Sequence, residues 1–113
     1  MRRVRILDQA EKRLSARPQE ALVLIERFLN EADARKQPVV VARARCLRAQ
    51  AHASIGSFPD SGLEDLQQAV QVFLINGRHL ELGSARVLHS RYLLAKGEFF
   101  QALGTAIAAF NDE

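Results

Sequence analysis

One stretch of the chain occurs twice, and this repetition limits the possible folds more than any other feature. Residues 44–58 read ARCLRAQAHASIGSF, and residues 85–99 read ARVLHSRYLLAKGEF. At a constant offset of 41 residues, five positions are identical: Ala44, Arg45, Leu47, Gly56 and Phe58 fall on Ala85, Arg86, Leu88, Gly97 and Phe99. A fixed period in this range is typical of helical solenoids, in which stacked helix pairs bury a continuous core.

Length and composition fit one domain. The 113 residues allow a modest core, and a hydrophobic fraction of 48% with a charged fraction of 26% is ordinary for a soluble chain. Charged residues interrupt each apolar run well before the ~18 residues of a membrane helix, and no secretory signal follows the basic start. The single cysteine, Cys46, cannot form an internal disulfide. We therefore expect one cytoplasmic domain over residues 1–113, with no membrane contact.

The basic excess is too small to indicate nucleic-acid binding. Sixteen Lys and Arg residues against thirteen Asp and Glu give a net charge of +3. A nucleic-acid surface needs a continuous basic stripe, commonly with aromatic platforms, and the chain has no Trp and one Tyr. Direct binding of nucleic acid is therefore the weakest of the functional hypotheses.

Hydrophobic periodicity and helix breakers predict six helices and no strand. Pro18 and Pro38 suit the first turns of helices, and Gly56 and Gly97 suit helix ends. The first helix is expected over about 4–16, and the second from Pro18 to about 35. The helices form pairs over about 3–35, 38–77 and 79–111, an all-α fold of three antiparallel pairs. The spacings of Ser57 with Asp60 and of Ser61 with Glu64 are those of capping boxes at the start of the fourth helix. We expect Gly83 and Gly104 to allow close helix packing, and most of the other glycines to lie in turns.

The last unit carries the pattern of a known repeat. A small residue, a Gly that ends the first helix, an aromatic residue and an Ala follow one another as Ser90, Gly97, Phe99 and Ala102. This pattern resembles the tetratricopeptide repeat, over nearly the whole chain. In the first unit, the second helix keeps the pattern: Pro18, Ala21, Ile25 and Phe28 stand opposite Phe99, Ala102, Ala106 and Ala109 of the last unit. The resemblance implies a right-handed α-solenoid.

Two departures from the usual repeat affect what the resemblance implies. The period is longer than the usual ~34 residues, and the middle unit has four extra residues, about one helical turn. Long units of this kind resemble the regulatory arrays of bacterial signalling proteins and transcription regulators. A six-helix bundle with accidental internal similarity is the alternative to the solenoid.

The resemblance also implies a ligand groove, because the first helix of each pair lines the concave face of such arrays. One flank of the third and fifth helices carries basic residues, and another arginine lies at the groove edge. The predicted groove residues are Arg45, Arg48, His52, Arg86, His89 and Arg91. Arginine matches carboxylates well, so the expected ligand is an acidic protein segment. The alternative is a solvated helix face whose arginines pair with Glu64, Asp65 or Glu81.

The sequence gives no motif for a metal site or for catalysis. The three histidines, His52, His79 and His89, have no companion at i+4 and no nearby Cys, so zinc-ligand spacing is lacking. There is no glycine-rich phosphate loop and no nucleophile elbow. We therefore expect no cofactor, no metal and no enzymatic activity of the chain itself.

The last helix is expected to expose an apolar side. Phe100, Leu103, Ile107 and Phe110 recur at helical spacing, and exposed apolar patches usually mark interfaces. Either a second subunit covers this side, giving a homodimer, or the rest of a longer protein does. Two functional hypotheses follow: a non-enzymatic interaction module that binds a protein segment or itself, or the N-terminal regulatory domain of a larger signalling protein, such as a diguanylate cyclase or a transcription regulator.

Overall fold

Six α-helices account for most of the chain. The computed structural model describes the backbone of residues 2–112 and the side chains of residues 5–111. The helices are α1 (Arg2–Arg13), α2 (Pro18–Glu31), α3 (Pro38–Ile55), α4 (Asp60–Ile75), α5 (His79–Ala95) and α6 (Phe99–Asp112). No strand occurs within residues 2–112. The predicted all-α class with six helices is confirmed.

Proline and glycine set several of the helix boundaries. Pro18 and Pro38 each occupy the first turn of a helix, where the missing N–H costs no hydrogen bond. Gly56, Gly77 and Gly97 follow α3, α4 and α5 in the left-handed region, with φ of 87°, 66° and 80°. A side chain is rarely tolerated at such φ values, so these three glycines fix where the helices stop.

Two helix ends and the capping boxes differ from expectation. Helix α1 ends at Arg13, and α2 ends at Glu31 because Ala32 turns to an extended conformation with ψ of 147°. The side chain of Asp33 then accepts a bond from the N–H of Arg35, which stabilises a turn instead of more helix. Helix α4 begins after Pro59 with no side-chain cap bond, so neither predicted capping box forms.

Each helix packs on its neighbour in sequence, and α3 also contacts both α1 and α5. One core cluster joins α1, α2 and α3 around Leu7, Ile25 and Phe28, all fully buried or nearly so. Two further clusters join α3, α4 and α5, centred on Phe73 and on Tyr92. The odd-numbered helices thus form one layer, and the even-numbered helices pack beside them.

Tyr92 ties three helices together. Its hydroxyl donates to the backbone carbonyl of Ala49 in α3 at 2.6 Å, and its ring packs edge-on against Phe58 at 5.0 Å. A Cβ placed on Gly62 of α4 would lie 2.5 Å from this hydroxyl oxygen. Gly62 therefore allows α4 to pack closely against the Tyr92 ring. The close helix packing expected at Gly104 does not occur, because a Cβ there would meet nothing within 4 Å.

Candidate functional site

An open cleft of about 760 Å³ lies along the layer of odd-numbered helices. Glu11 of α1 borders it on one side, and residues of α3 and α5 form most of its surface. The end of α4 and the connection to α5 contribute Phe73 and Arg78. The lining residues from α3 and α5 are Arg43, Cys46, Leu47, Gln50, Leu80, Glu81, Ser84, Ala85, Val87, Leu88 and Arg91.

The repeat explains which side chains reach this cleft. Four lining positions of α3 recur 41 residues later in α5: Arg43 with Ser84, Cys46 with Val87, Leu47 with Leu88, and Gln50 with Arg91. They lie at spacings of three and four along each helix, which places them on one face. Leu47 and Leu88 are buried, whereas Gln50, Ser84 and Arg91 are exposed, so the cleft has an apolar floor and a polar rim.

Two of the basic residues in the cleft are neutralised by carboxylates of the same chain. Arg43 bonds to Asp8 at 2.8 Å and to Glu11 at 2.6 Å, which also joins α3 to α1. Arg78 bonds to Glu81 through Nε at 2.6 Å, and this hydrogen bond lowers the pKa of the Glu81 carboxyl. Neither arginine is therefore an open charge for a ligand.

Arg91 differs from these two arginines. It is exposed at the rim, and no ion pair or side-chain hydrogen bond holds it among the described residues. The nearby Cys46 thiol is packed below the surface, and burial raises its pKa to about 12. A thiol with so high a pKa stays protonated at neutral pH and is a poor nucleophile. The chemistry offered by the cleft is therefore an apolar floor next to one exposed guanidinium, that of Arg91, which has no ion pair within residues 5–111.

Of the six predicted groove residues, only Arg91 lines the cleft. Arg48 lies on the other side of α3, between α2 and α4. Its guanidinium makes two bonds of 2.7 Å to the buried carboxylate of Asp65 and one of 3.3 Å to Glu26. The hydrogen bond to Asp65 is the main cause of a raised Arg48 pKa. Arg48 is therefore paired with Asp65, as in the alternative that the sequence left open.

The other four predicted residues are also absent from the cleft lining. Arg45 and His52 flank Arg48 on its face of α3, and the Arg45 Nε is buried without a hydrogen-bond partner. Arg86 and His89, 41 residues after Arg45 and Arg48, are half-buried on α5. Arg86 has polar contacts of its own, and burial lowers the pKa of His89.

The apolar side of α6 is exposed, as the sequence predicted. Phe100 is 93% exposed, Leu103 59%, Ile107 54% and Phe110 81%. Ala102 and Ala109 are the buried residues that hold α6 to α5, and the Ser90 hydroxyl donates to the Ala102 carbonyl at 2.8 Å. Small residues thus face inward on α6, and large apolar residues face outward. The role of this side as an interface stays a prediction.

Within the described part of the chain, no group of three or more His, Cys, Asp or Glu is placed to hold a metal ion. None of the described helices is both long and apolar enough to cross a membrane. No protein-family model, no curated protein and no solved structure matches the chain.

Proposed function

We propose that the chain is a non-enzymatic, tetratricopeptide-like interaction module of the cytoplasm whose cleft binds a segment of another protein. The observation that carries this proposal is the cleft along α1, α3 and α5, with its apolar floor and polar rim. Contacts of α3 with both α1 and α5 support a solenoid in which the first helices of the three pairs form the inner layer.

The side chains of the cleft favour a particular kind of segment. Leu47, Leu88 and the half-exposed Val87 offer apolar contact, and Gln50 and Ser84 offer hydrogen bonds at the rim. Arg91 is the one cation of the rim that is not already paired within residues 5–111. Guanidinium groups pair well with carboxylates. The ligand we propose is therefore an acidic segment with an apolar residue next to a carboxylate.

A titration followed by NMR tests this function. The probe is a synthetic peptide of alternating leucine and glutamate, added to isotope-labelled protein, with a peptide of alternating leucine and lysine as the charge control. The acidic peptide is expected to shift the amide signals of Gln50, Ser84, Val87 and Arg91. Signals from the opposite side of α3, such as those of Arg45 and His52, should move little.

A charge reversal then tests Arg91 itself. Arg91→Glu should weaken binding of the acidic peptide about tenfold or more, because one charge-assisted contact is lost and a repulsive one is gained. Arg27→Glu, an equal charge change on the exposed side of α2, is the matched control and should keep wild-type affinity. Equal effects of the two variants, or shifts confined to other surfaces, would contradict the proposed cleft function. Arg48→Glu is unsuitable here because it breaks the bonds to Asp65.

A further inference from the structure

The last helix pair leaves one side of the molecule apolar. We define the end face as two stripes, one on α5 and one on α6. The α5 stripe is Leu80, Val87 and Leu94, which repeat every seven residues and are 76%, 52% and 51% exposed. The α6 stripe is Phe99, Phe100, Leu103, Ile107 and Phe110, each at least half exposed. Scattered exposed apolar residues are ordinary, but large apolar side chains that are exposed at regular spacing on two adjacent helices are typical of an interface.

The chain itself shows how such a surface is covered. The residues 41 positions before the α5 stripe are Val39, Cys46 and Ala53 of α3, and all three pack in the clusters that α3 and α4 form with α5. The residues of α4 that correspond to the α6 stripe lie 37 positions earlier in the chain, because the four extra residues of the middle unit shorten the offset of 41. Leu66 and Phe73, the counterparts of Leu103 and Phe110, are buried against α5. The end face is therefore a helix-packing surface that lacks its helix.

The charge pattern favours a second copy of this chain as the occupant. Residues 99–111 include no charged side chain. Around a two-fold axis, each residue lies near its own copy, so charged residues on such a face would repel one another. The α6 stripe, which is apolar along its length, avoids this repulsion.

The opposite end of the molecule argues against a head-to-tail array. Helix α1 exposes charged residues to solvent, among them Arg5 and Lys12. Placing this charged helix on the end face of another copy would remove charges from water without partners, which is costly. A closed pair of end faces is therefore favoured over an open chain of copies.

The exposed area is large enough for a stable pair. If a phenylalanine presents about 200 Å², the exposed fractions of Phe99, Phe100 and Phe110, which are 66%, 93% and 81%, correspond to roughly 480 Å² per copy. Full coverage of these rings would bury about 960 Å² in a dimer, and Leu103 and Ile107 take the total beyond the ~1,000 Å² expected of a specific interface.

We propose that two copies of the chain pair through their end faces across a two-fold axis. This pairing goes beyond the proposed function of the cleft, and the two are tested separately. Light scattering over low-micromolar to millimolar concentrations should give the mass of two chains of 12.6 kDa each. The double variant Ile107→Asp with Phe110→Asp should weaken the pairing by about a hundredfold or more, because association would bury unpaired carboxylates.

The matched control is Val23→Asp with Ile75→Asp, which changes two apolar residues that are also more than half exposed, 68% and 80%, outside the end face. It should keep the dimer mass. Circular dichroism must show wild-type helix content in both variants. A monomeric wild type would overturn the proposal and leave the end face to a following segment or to another protein. A dimer that survives the end-face substitutions, or one lost equally in the control, would also overturn it.

A cysteine cross-link tests the symmetry. Leu103→Cys lies near the centre of the α6 stripe, so under mild oxidation it should form a disulfide between two copies. Val23→Cys, equally exposed on α2, should not. Efficient cross-linking of both variants or of neither would contradict a two-fold contact at α6. The peptide titration of the cleft is repeated on the monomeric variant, which keeps the cleft residues Gln50 and Arg91, so that failure of the pairing and failure of the cleft function can be distinguished.

Discussion

Gly62→Ala should destabilise the protein, although alanine is normally the better helix residue. The added Cβ would lie 2.5 Å from the Tyr92 hydroxyl oxygen, 2.6 Å from Cε2 and 2.8 Å from Cζ. The ring is fully buried, and moving it would break the bond of its hydroxyl to the Ala49 carbonyl. Neither side of the contact can therefore move without loss.

The magnitude follows from three effects. Overpacking a core costs about 1–3 kcal/mol, and the hydrogen bond of Tyr92 contributes about 1 kcal/mol net. Replacing a helical glycine by alanine returns at most about 1 kcal/mol. We expect a net loss of about 1–3 kcal/mol in the free energy of unfolding, measured by urea denaturation. Gly104→Ala is the matched control, because a Cβ there meets nothing within 4 Å and should stabilise the protein.

A double-mutant cycle identifies the cause. Tyr92→Phe removes only the hydroxyl, and the contact of the new Cβ with Cε2 at 2.6 Å remains, so it should not rescue Gly62→Ala. Tyr92→Leu removes the ring, and in that background Gly62→Ala should cost little. A coupling energy of about 1 kcal/mol or more is expected for residues in such contact. Unchanged or increased stability of Gly62→Ala alone would refute the reasoning.

Three further predictions concern charged and titrating groups. Asp65→Ala should lower the free energy of unfolding by about 2 kcal/mol, because Arg48 loses two bonds but keeps Glu26 and some solvent; urea denaturation measures this, with Glu64→Ala on the exposed side of α4 as the control. Burial lowers the pKa of His89 in the folded state, so the folded state keeps its full stability above pH ~6.5 and loses stability as the pH falls below that value. His89→Gln should therefore flatten the dependence of the thermal midpoint on pH in that range. Burial raises the pKa of Tyr92 to about 12, so stability is present below pH ~10 and is lost as the pH rises toward 12; since Tyr92 is the only tyrosine, its ionisation absorbance should change together with the loss of helical circular dichroism.

The helices could be predicted because their boundaries are set locally. Pro18 and Pro38 begin helices, and Gly56 and Gly97 end them, through the backbone angles of those residues alone. The ends of α1 and α2 were the exceptions. Helix α2 ends early because the Asp33 side chain stabilises a turn that competes with the helix. Local chemistry thus accounts for six helices and for most of their ends.

The site was harder to predict because each of the helices α3 and α5 has polar residues on two sides. Arg48 and Gln50 are about half a turn apart on α3, and both faces look amphipathic from the sequence. Which face lines the cleft depends on where α2 and α4 pack, and Arg48 is taken up by Asp65, 17 residues further along. The period held a usable signal, because Leu47 and Leu88 are identical residues on the cleft side, with Gln50 and Arg91 beside them.

The cleft and the end face share two residues, and this predicts a coupling between them. Leu80 and Val87 line the cleft and also belong to the α5 stripe. A second copy that covers the stripe therefore changes the wall that a bound segment touches. Linkage makes this coupling reciprocal: if pairing changes the affinity for the peptide by some factor, each bound peptide must change the affinity of the two copies for each other by the same factor.

The coupling can be measured with the same variants. Peptide affinity is compared between wild type and the monomeric Ile107→Asp with Phe110→Asp variant, whose substitutions lie outside the cleft lining. Because the shared residues are apolar and half or more exposed, we expect a change of about fivefold or more, the lower end of typical couplings. Equal affinities in the two proteins would show that α5 is rigid enough to separate the surfaces. A change in Val23→Asp with Ile75→Asp as well would assign the effect to charge rather than to pairing.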